Sequence, residues 1–94
     1  MVTTVNIGSL IVATPDVCAG RPRINKKRFS VAQIATLTKE GLSPQQIVSE
    51  YNFLTLAEVH AALAYYYANP EQIEQYLEEE MAEYQKLLAQ YKSI

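Results

Sequence analysis

Apolar residues in the middle of the chain recur at helical spacing, and helix-start signals divide them where long loops are absent. Ser30-x-x-Gln33, Ser43-x-x-Gln46, Thr55-x-x-Glu58 and Asn69-x-x-Gln72 each set a short side-chain acceptor three residues before a carboxamide or carboxylate. Such a pair satisfies the orphan backbone donors of a helix N-terminus reciprocally. Pro44 and Pro70 stand at the first helical position, where proline loses no hydrogen bond, and Gly41 suits a left-handed C-cap. The spacing predicts a helix of about ten residues after Ser30, one of about eight after Ser43, a link through Asn52, Phe53 and Leu54, and a third helix from Thr55. This is the outline of a helix-turn-helix.

On that third helix, Leu56, Val59, Leu63 and Tyr66 gather on the side expected to face the core, and Ala57, Ala61, Ala64 and Ala68 gather opposite. From Pro70 the pattern continues as one helix of about 24 residues, near 36 Å if unbroken. Ile73, Leu77, Met81, Tyr84, Leu88 and Tyr91 form its apolar stripe, with Glu74, Glu78, Glu79 and Glu83 opposite. The first 29 residues read differently. Val5, Ile7, Leu10, Ile11 and Val12 are apolar and largely β-branched, Pro15-Asp16 and Gly20-Arg21-Pro22 are turn signals, and Ile24 and Phe29 flank a basic run that fits a short strand. One domain is expected: an extended arm over residues 1–29, a helix-turn-helix core over 30–68, and a C-terminal helix over 70–93. The fold class is mainly α, a homeodomain-like three-helix core with a short N-terminal β segment and a long C-terminal helix.

Charge changes the picture more than composition does. The net charge of −2 hides an asymmetry: residues 1–39 carry six basic side chains against Asp16, whereas residues 40–94 carry nine glutamates against Lys86 and Lys92. Arg21, Arg23, Lys26, Lys27 and Arg28 fall within eight positions immediately before the first helix. This split predicts that the two ends meet different partners. Glu78-Glu79-Glu80 reads as a solvated face. The opening segment lacks the basic start of a secretory signal, and its longest apolar run, Leu10 to Ala13, is far too short to span a bilayer. A cytoplasmic protein is expected, and the lone Cys18 suits a reducing compartment. No glycine-rich phosphate loop, metal-ligand spacing or nucleophile with its base is present, so neither enzyme activity nor a cofactor is expected.

The run from Thr14 to Ile24, followed by Arg28-Phe29-Ser30-Val31, Ile34, Gly41-Leu42-Ser43-Pro44, Ile47, Tyr51, Leu54-Thr55, Val59, Ala62-Leu63 and Tyr65-Tyr66, resembles the small prokaryotic proteins grouped as domain-of-unknown-function family 433. The resemblance covers residues 10–70. It implies a homeodomain-like helix-turn-helix, with some members acting as antitoxins beside PIN-type ribonuclease toxins. That family usually has Gly-Thr where this chain has Lys26-Lys27.

Two functional readings follow. The first is an antitoxin-like DNA-binding repressor of a toxin-antitoxin system that also binds a partner protein, for which the resemblance implies a PIN-type nuclease. In that reading the arm residues Arg21, Arg23, Lys26, Lys27 and Arg28 contact nucleic acid, as a homeodomain arm enters the minor groove. Gly20-Arg21-Pro22 also matches the centre of an AT-hook, although Ala19 stands where the hook has arginine. The second is an interaction module that keeps the helix-turn-helix shape without binding DNA. The third helix supports it, since Thr55 to Asn69 contains no Arg or Lys for base edges. Either way a two-fold homodimer is expected, with Ala57, Ala61, Ala64, Ala68, Tyr76, Tyr84 and Tyr91 as its dimer or partner contacts.

Overall fold

The computed structural model describes Thr4 and residues 6–92. The expectations for Val5 and for a helix reaching residue 93 lie outside the described residues. The chain is mainly helical, in the order β1 (Ile11–Val12), β2 (Arg23–Ile24), α1 (Val31–Lys39), α2 (Pro44–Glu50), α3 (Leu56–Ala68) and α4 (Pro70–Lys92). A single helical turn at Ile7–Ser9 precedes β1, and a tight turn of positive-φ residues at Cys18–Gly20 precedes β2.

Three capping boxes form as the spacing predicts. Ser30 with Gln33, Ser43 with Gln46, and Thr55 with Glu58 each exchange both hydrogen bonds. The fourth does not. The Asn69 carboxamide donates back to the Tyr65 carbonyl at 3.1 Å, and the Gln72 carboxamide oxygen accepts from the Tyr65 hydroxyl at 2.8 Å. One residue joins α3 to α4, so α3 itself supplies the partners that a solvated N-cap would otherwise need. Gly41 closes α1 at φ 99°, with its N–H bonded to Thr38 and the Leu42 N–H reaching the Leu37 carbonyl. This is the Schellman arrangement.

β1 and β2 pair antiparallel, Ile11 with Ile24 and Val12 with Arg23. The chain then turns back at once. Ile24 N–H bonds to the Phe29 carbonyl at 2.9 Å, Lys27 N–H to the Ile24 carbonyl at 3.1 Å, and Arg23 bridges Ser30. The basic run expected as a strand is therefore a tight turn, with Lys26 at φ 67° at its tip.

Ile24, Phe29, Val31, Ala32, Ile34, Ala35, Ile47, Leu54, Val59, Ala62, Leu63 and Ile73 form one buried cluster. Each helix contributes its apolar face, and α3 is the hub, packed by α1, α2, α4 and both strands. Phe29, Tyr51 and Phe53 add three edge-on ring contacts with centroids 5.2 to 6.3 Å apart. Leu56, expected in the core, is instead largely open at the first turn of α3, and Ala61, expected outward, is 9% exposed. The chain has a radius of gyration of 15.0 Å and extents of 61 × 28 × 23 Å. A compact body of this length would have a radius near 12 Å, so one element must project. That element is α4: Ile73 is fully buried and Tyr76 and Leu77 pack on the core, but its C-terminal half does not.

Candidate interaction surfaces

The five cations of the basic segment do not form one free surface. Arg21 lies against α4, its guanidinium 4.9 Å from the centre of the Tyr76 ring. Its Nη1 donates to Glu80 Oε1 at 2.6 Å and its Nη2 to Glu79 Oε2 at 2.9 Å, leaving the side chain 16% exposed. Arg23 braces the turn, donating to the Ile24 and Lys27 carbonyls at 3.2 Å and to Thr14 Oγ1 at 3.0 Å. Lys27 Nζ meets Glu58 of α3 at 2.5 Å. Lys26 and Arg28 are exposed.

Lys39 at the end of α1 reaches both carboxylate oxygens of Glu74, at 2.6 and 2.7 Å, and the Tyr66 hydroxyl donates to the same carboxylate. The ion pairs among the described residues thus join cations of residues 21–39 to glutamates of residues 58–80. The charge split read as two ends with separate partners serves first to hold the fold together. Glu79 and Glu80, read as part of a solvated run, are the acceptors for Arg21. The pairing spans 58 and 59 residues in sequence, and only the charge asymmetry hinted at it.

These pairs move the titrations of their members. Burial pushes the Glu58 carboxyl up, but the Lys27 ammonium and the Thr55 backbone N–H outweigh it and hold the group below the usual carboxylate range. Glu74 is lowered by its bonds to Lys39 and Tyr66. Lys39 is raised by Glu74, and Tyr66 is raised by Glu74 and by burial.

α3 offers no cation outward. Its exposed residues are Leu56, Ala57, His60, Ala64, Tyr67 and Ala68, and Glu58 on its flank is taken by Lys27. Of the residues expected at a partner contact, Ala57, Ala64 and Ala68 are open, Ala61 is buried, and Tyr76 is half-buried under Arg21. Tyr84 and Tyr91 are open. With Met81 and Leu87 they stand 59%, 80%, 59% and 64% exposed respectively, on the line that Ile73 and Leu77 begin within the core. The same helix borders an open groove against α1, formed by Thr36, Lys39, Glu40, Leu77, Glu80, Met81 and Tyr84. Tyr67 and Leu87 were absent from the expected contacts, although each sits one helical step from a residue that was included. Among the described residues, no helix is long and apolar enough to cross a membrane.

Residues 11–66 match the sequence profile of a family described as protein of unknown function, DUF433. A crystal structure of a DUF433 member protein from Anabaena variabilis ATCC 29413, at 2.00 Å resolution, is similar at 34% identity with a TM-score of 0.67. The similarity takes in 71% of this chain and 66% of that one, so the chain spans just under two thirds of that protein's length. Comparison with curated proteins found no match.

Proposed function

The chain belongs to the DUF433 family, whose description assigns no function, so its role has to be read from its surfaces, and we propose that it is an antitoxin-like interaction protein that binds a partner through α4. The observation that carries this reading is the run of Met81, Tyr84, Leu87 and Tyr91, apolar side chains on a helix that outruns its own core. Exposed apolar stripes of this kind mark protein contacts. Tyrosines suit such a contact because the ring buries while the hydroxyl tolerates water. Glu78 and Glu83, both exposed, add negative charge along the same half of the helix. An acidic helix can occupy the channel in which a ribonuclease would hold an RNA backbone, and a PIN-type ribonuclease is the partner class that the family resemblance implies.

The test is co-expression with whatever PIN-type nuclease is encoded beside the gene. The full chain should co-purify with it and relieve its toxicity, and a chain ending at Glu83, which keeps Ile73, Leu77 and the Arg21 acceptors, should fold and fail to do either. Equal rescue by the shortened chain would reduce the end of α4 to a structural brace.

A DNA-binding repressor is the second reading. Lys26 and Arg28 favour it, two exposed cations in a turn directly before the three-helix core. Arg21, Arg23 and Lys27 are spent inside the protein, and α3 brings only neutral side chains outward, which is why the protein contact comes first.

A further inference from the structure

α1 packs against α4 and stops at Lys39, while α4 runs on past it. The corner between them is an open groove of about 430 Å³. Leu77, Met81 and Tyr84 form its apolar wall, and Thr36 and Glu40 line the α1 side. Leu88 and Tyr91 continue the wall beyond the groove. These five α4 residues recur at 4, 3, 4 and 3, and they fall within about 80° around the helix at 3.6 residues per turn. A seam with that period of about 3.5 is what a second helix packs against.

We propose that this groove holds a helix of the partner protein, one whose apolar stripe is edged by lysine and arginine. The proposal rests on the reading of α4 as the partner-binding element and supplies the partner's side of the contact. From Leu77 to Tyr91 the seam runs about 21 Å at 1.5 Å per residue, so the occupant lies along it for about four turns. Met81 suits such a seat, because an unbranched thioether adapts to the side chains laid on it.

Charge selects the occupant. Glu40 on the α1 side and Glu78 and Glu83 on the two flanks of the seam are exposed, and none pairs with a cation among the described residues. The cations nearby are already held, Lys39 by Glu74 and Arg21 by Glu79 and Glu80. Lys86 lies about 180° around the helix from Leu77, on the back of α4. An apolar seam with acidic flanks is complementary to a stripe with basic ones, since flanking charges set the choice of partner between packed helices. A second copy of α4 fits less well. Over residues 78–91 it brings Glu78, Glu79, Glu80 and Glu83 against Lys86 alone, so like net charge would meet like.

The experiment uses the full chain and a fluorescent three-heptad helical peptide as the probe, with leucine on its seam and lysine at the flanking positions. Anisotropy should show saturable binding that weakens at least tenfold when the flanking lysines are exchanged for glutamate. Thr36→Arg, which sets a long cation into the α1 side of the groove and leaves α4 untouched, should weaken binding of the lysine peptide at least tenfold with an unchanged circular dichroism spectrum. Lys86→Ala should bind it as the native chain does. Equal binding of the two peptides, or equal binding by the native and Thr36→Arg chains, would overturn the proposal. A native chain that sediments at twice its mass of 10.6 kDa and takes up no peptide would overturn it too, in favour of a second copy. Should Thr36→Arg fail to fold, Glu40→Lys replaces it, with the same two outcomes. Neutralisation of any PIN-type nuclease encoded beside the gene is scored separately. A Thr36→Arg chain that neutralises it fully strikes the groove and spares the end of α4, whereas a native chain that binds the lysine peptide but neutralises no nuclease supports the groove and removes the antitoxin reading.

Discussion

Lys26 holds the left-handed region at φ 67°, in the turn where the resembling family usually carries glycine. A side chain there costs about 1 to 2 kcal/mol, offset in part by the freedom that glycine would add to the unfolded chain. Lys26→Gly should therefore raise stability by up to about 1 kcal/mol, read as a higher urea midpoint at constant slope. Gly41 argues the reverse case. Its φ of 99° closes α1, and nothing lies within 4 Å of an added Cβ, so Gly41→Ala should destabilise by about 1 kcal/mol through backbone strain alone. Residue type signalled the turn at Gly41 but not the one at Lys26, where the basic run reads as a short strand. Glu58 carries a pH signature. Its carboxyl titrates lower in the folded protein than in the unfolded chain, so it stabilises above the ordinary glutamate range and that contribution is lost as pH falls through its folded value. Denaturant melts from pH 6 to pH 3 should show stability falling on acidification, and Glu58→Gln, which can keep the capping box but not the Lys27 pair, should flatten that fall. An unchanged slope in the variant would place the dependence elsewhere.

At the scale of elements, the short-range signals were the legible ones. Three capping boxes, the proline starts and the apolar periodicities concern residues within four positions of one another, and backbone hydrogen bonding enforces them locally. The fourth box failed because Asn69 and Gln72 have nearer partners on α3, which became available only once α4 followed without a loop. The basic segment was legible as charge but not as structure, since its acceptors lie on α3 and α4. Arg21 ties the turn before β2 to Glu79, Glu80 and the Tyr76 ring. Because both carboxylates are partly exposed, Arg21→Ala should cost only about 1 kcal/mol. Its clearer effect should be local: amide exchange in α4 around residues 76–83 should quicken while that of Ile34 and Ile47 stays slow. Uniform acceleration across all four helices would mean that the clamp is part of the cooperative core.

For the whole molecule, the decisive feature is that a 23-residue helix is fixed at one end and bare of apolar cover at the other. The sequence pattern showed an unbroken stripe from Ile73 to Tyr91. Where the core stops along that stripe depends on how α1 and α3 are placed, which no periodicity within α4 records. Within the basic segment the exposed cations are Lys26 and Arg28, so any nucleic-acid contact by that segment falls to them. In that event Lys26→Ala with Arg28→Ala should lower the salt dependence of a mobility shift by about two units, roughly one per phosphate contact, whereas Arg23→Ala should act through stability. The most direct measurement is inhibition of whatever PIN-type ribonuclease is encoded beside the gene, titrated with the native chain and with the Tyr84→Glu, Tyr91→Glu double variant. The native chain should abolish cleavage at a fixed stoichiometric ratio, and the variant, folded by circular dichroism, should need at least tenfold more protein. Equal inhibition by the variant, or a nuclease indifferent to the native chain, would contradict the assignment of α4 as the partner-binding element.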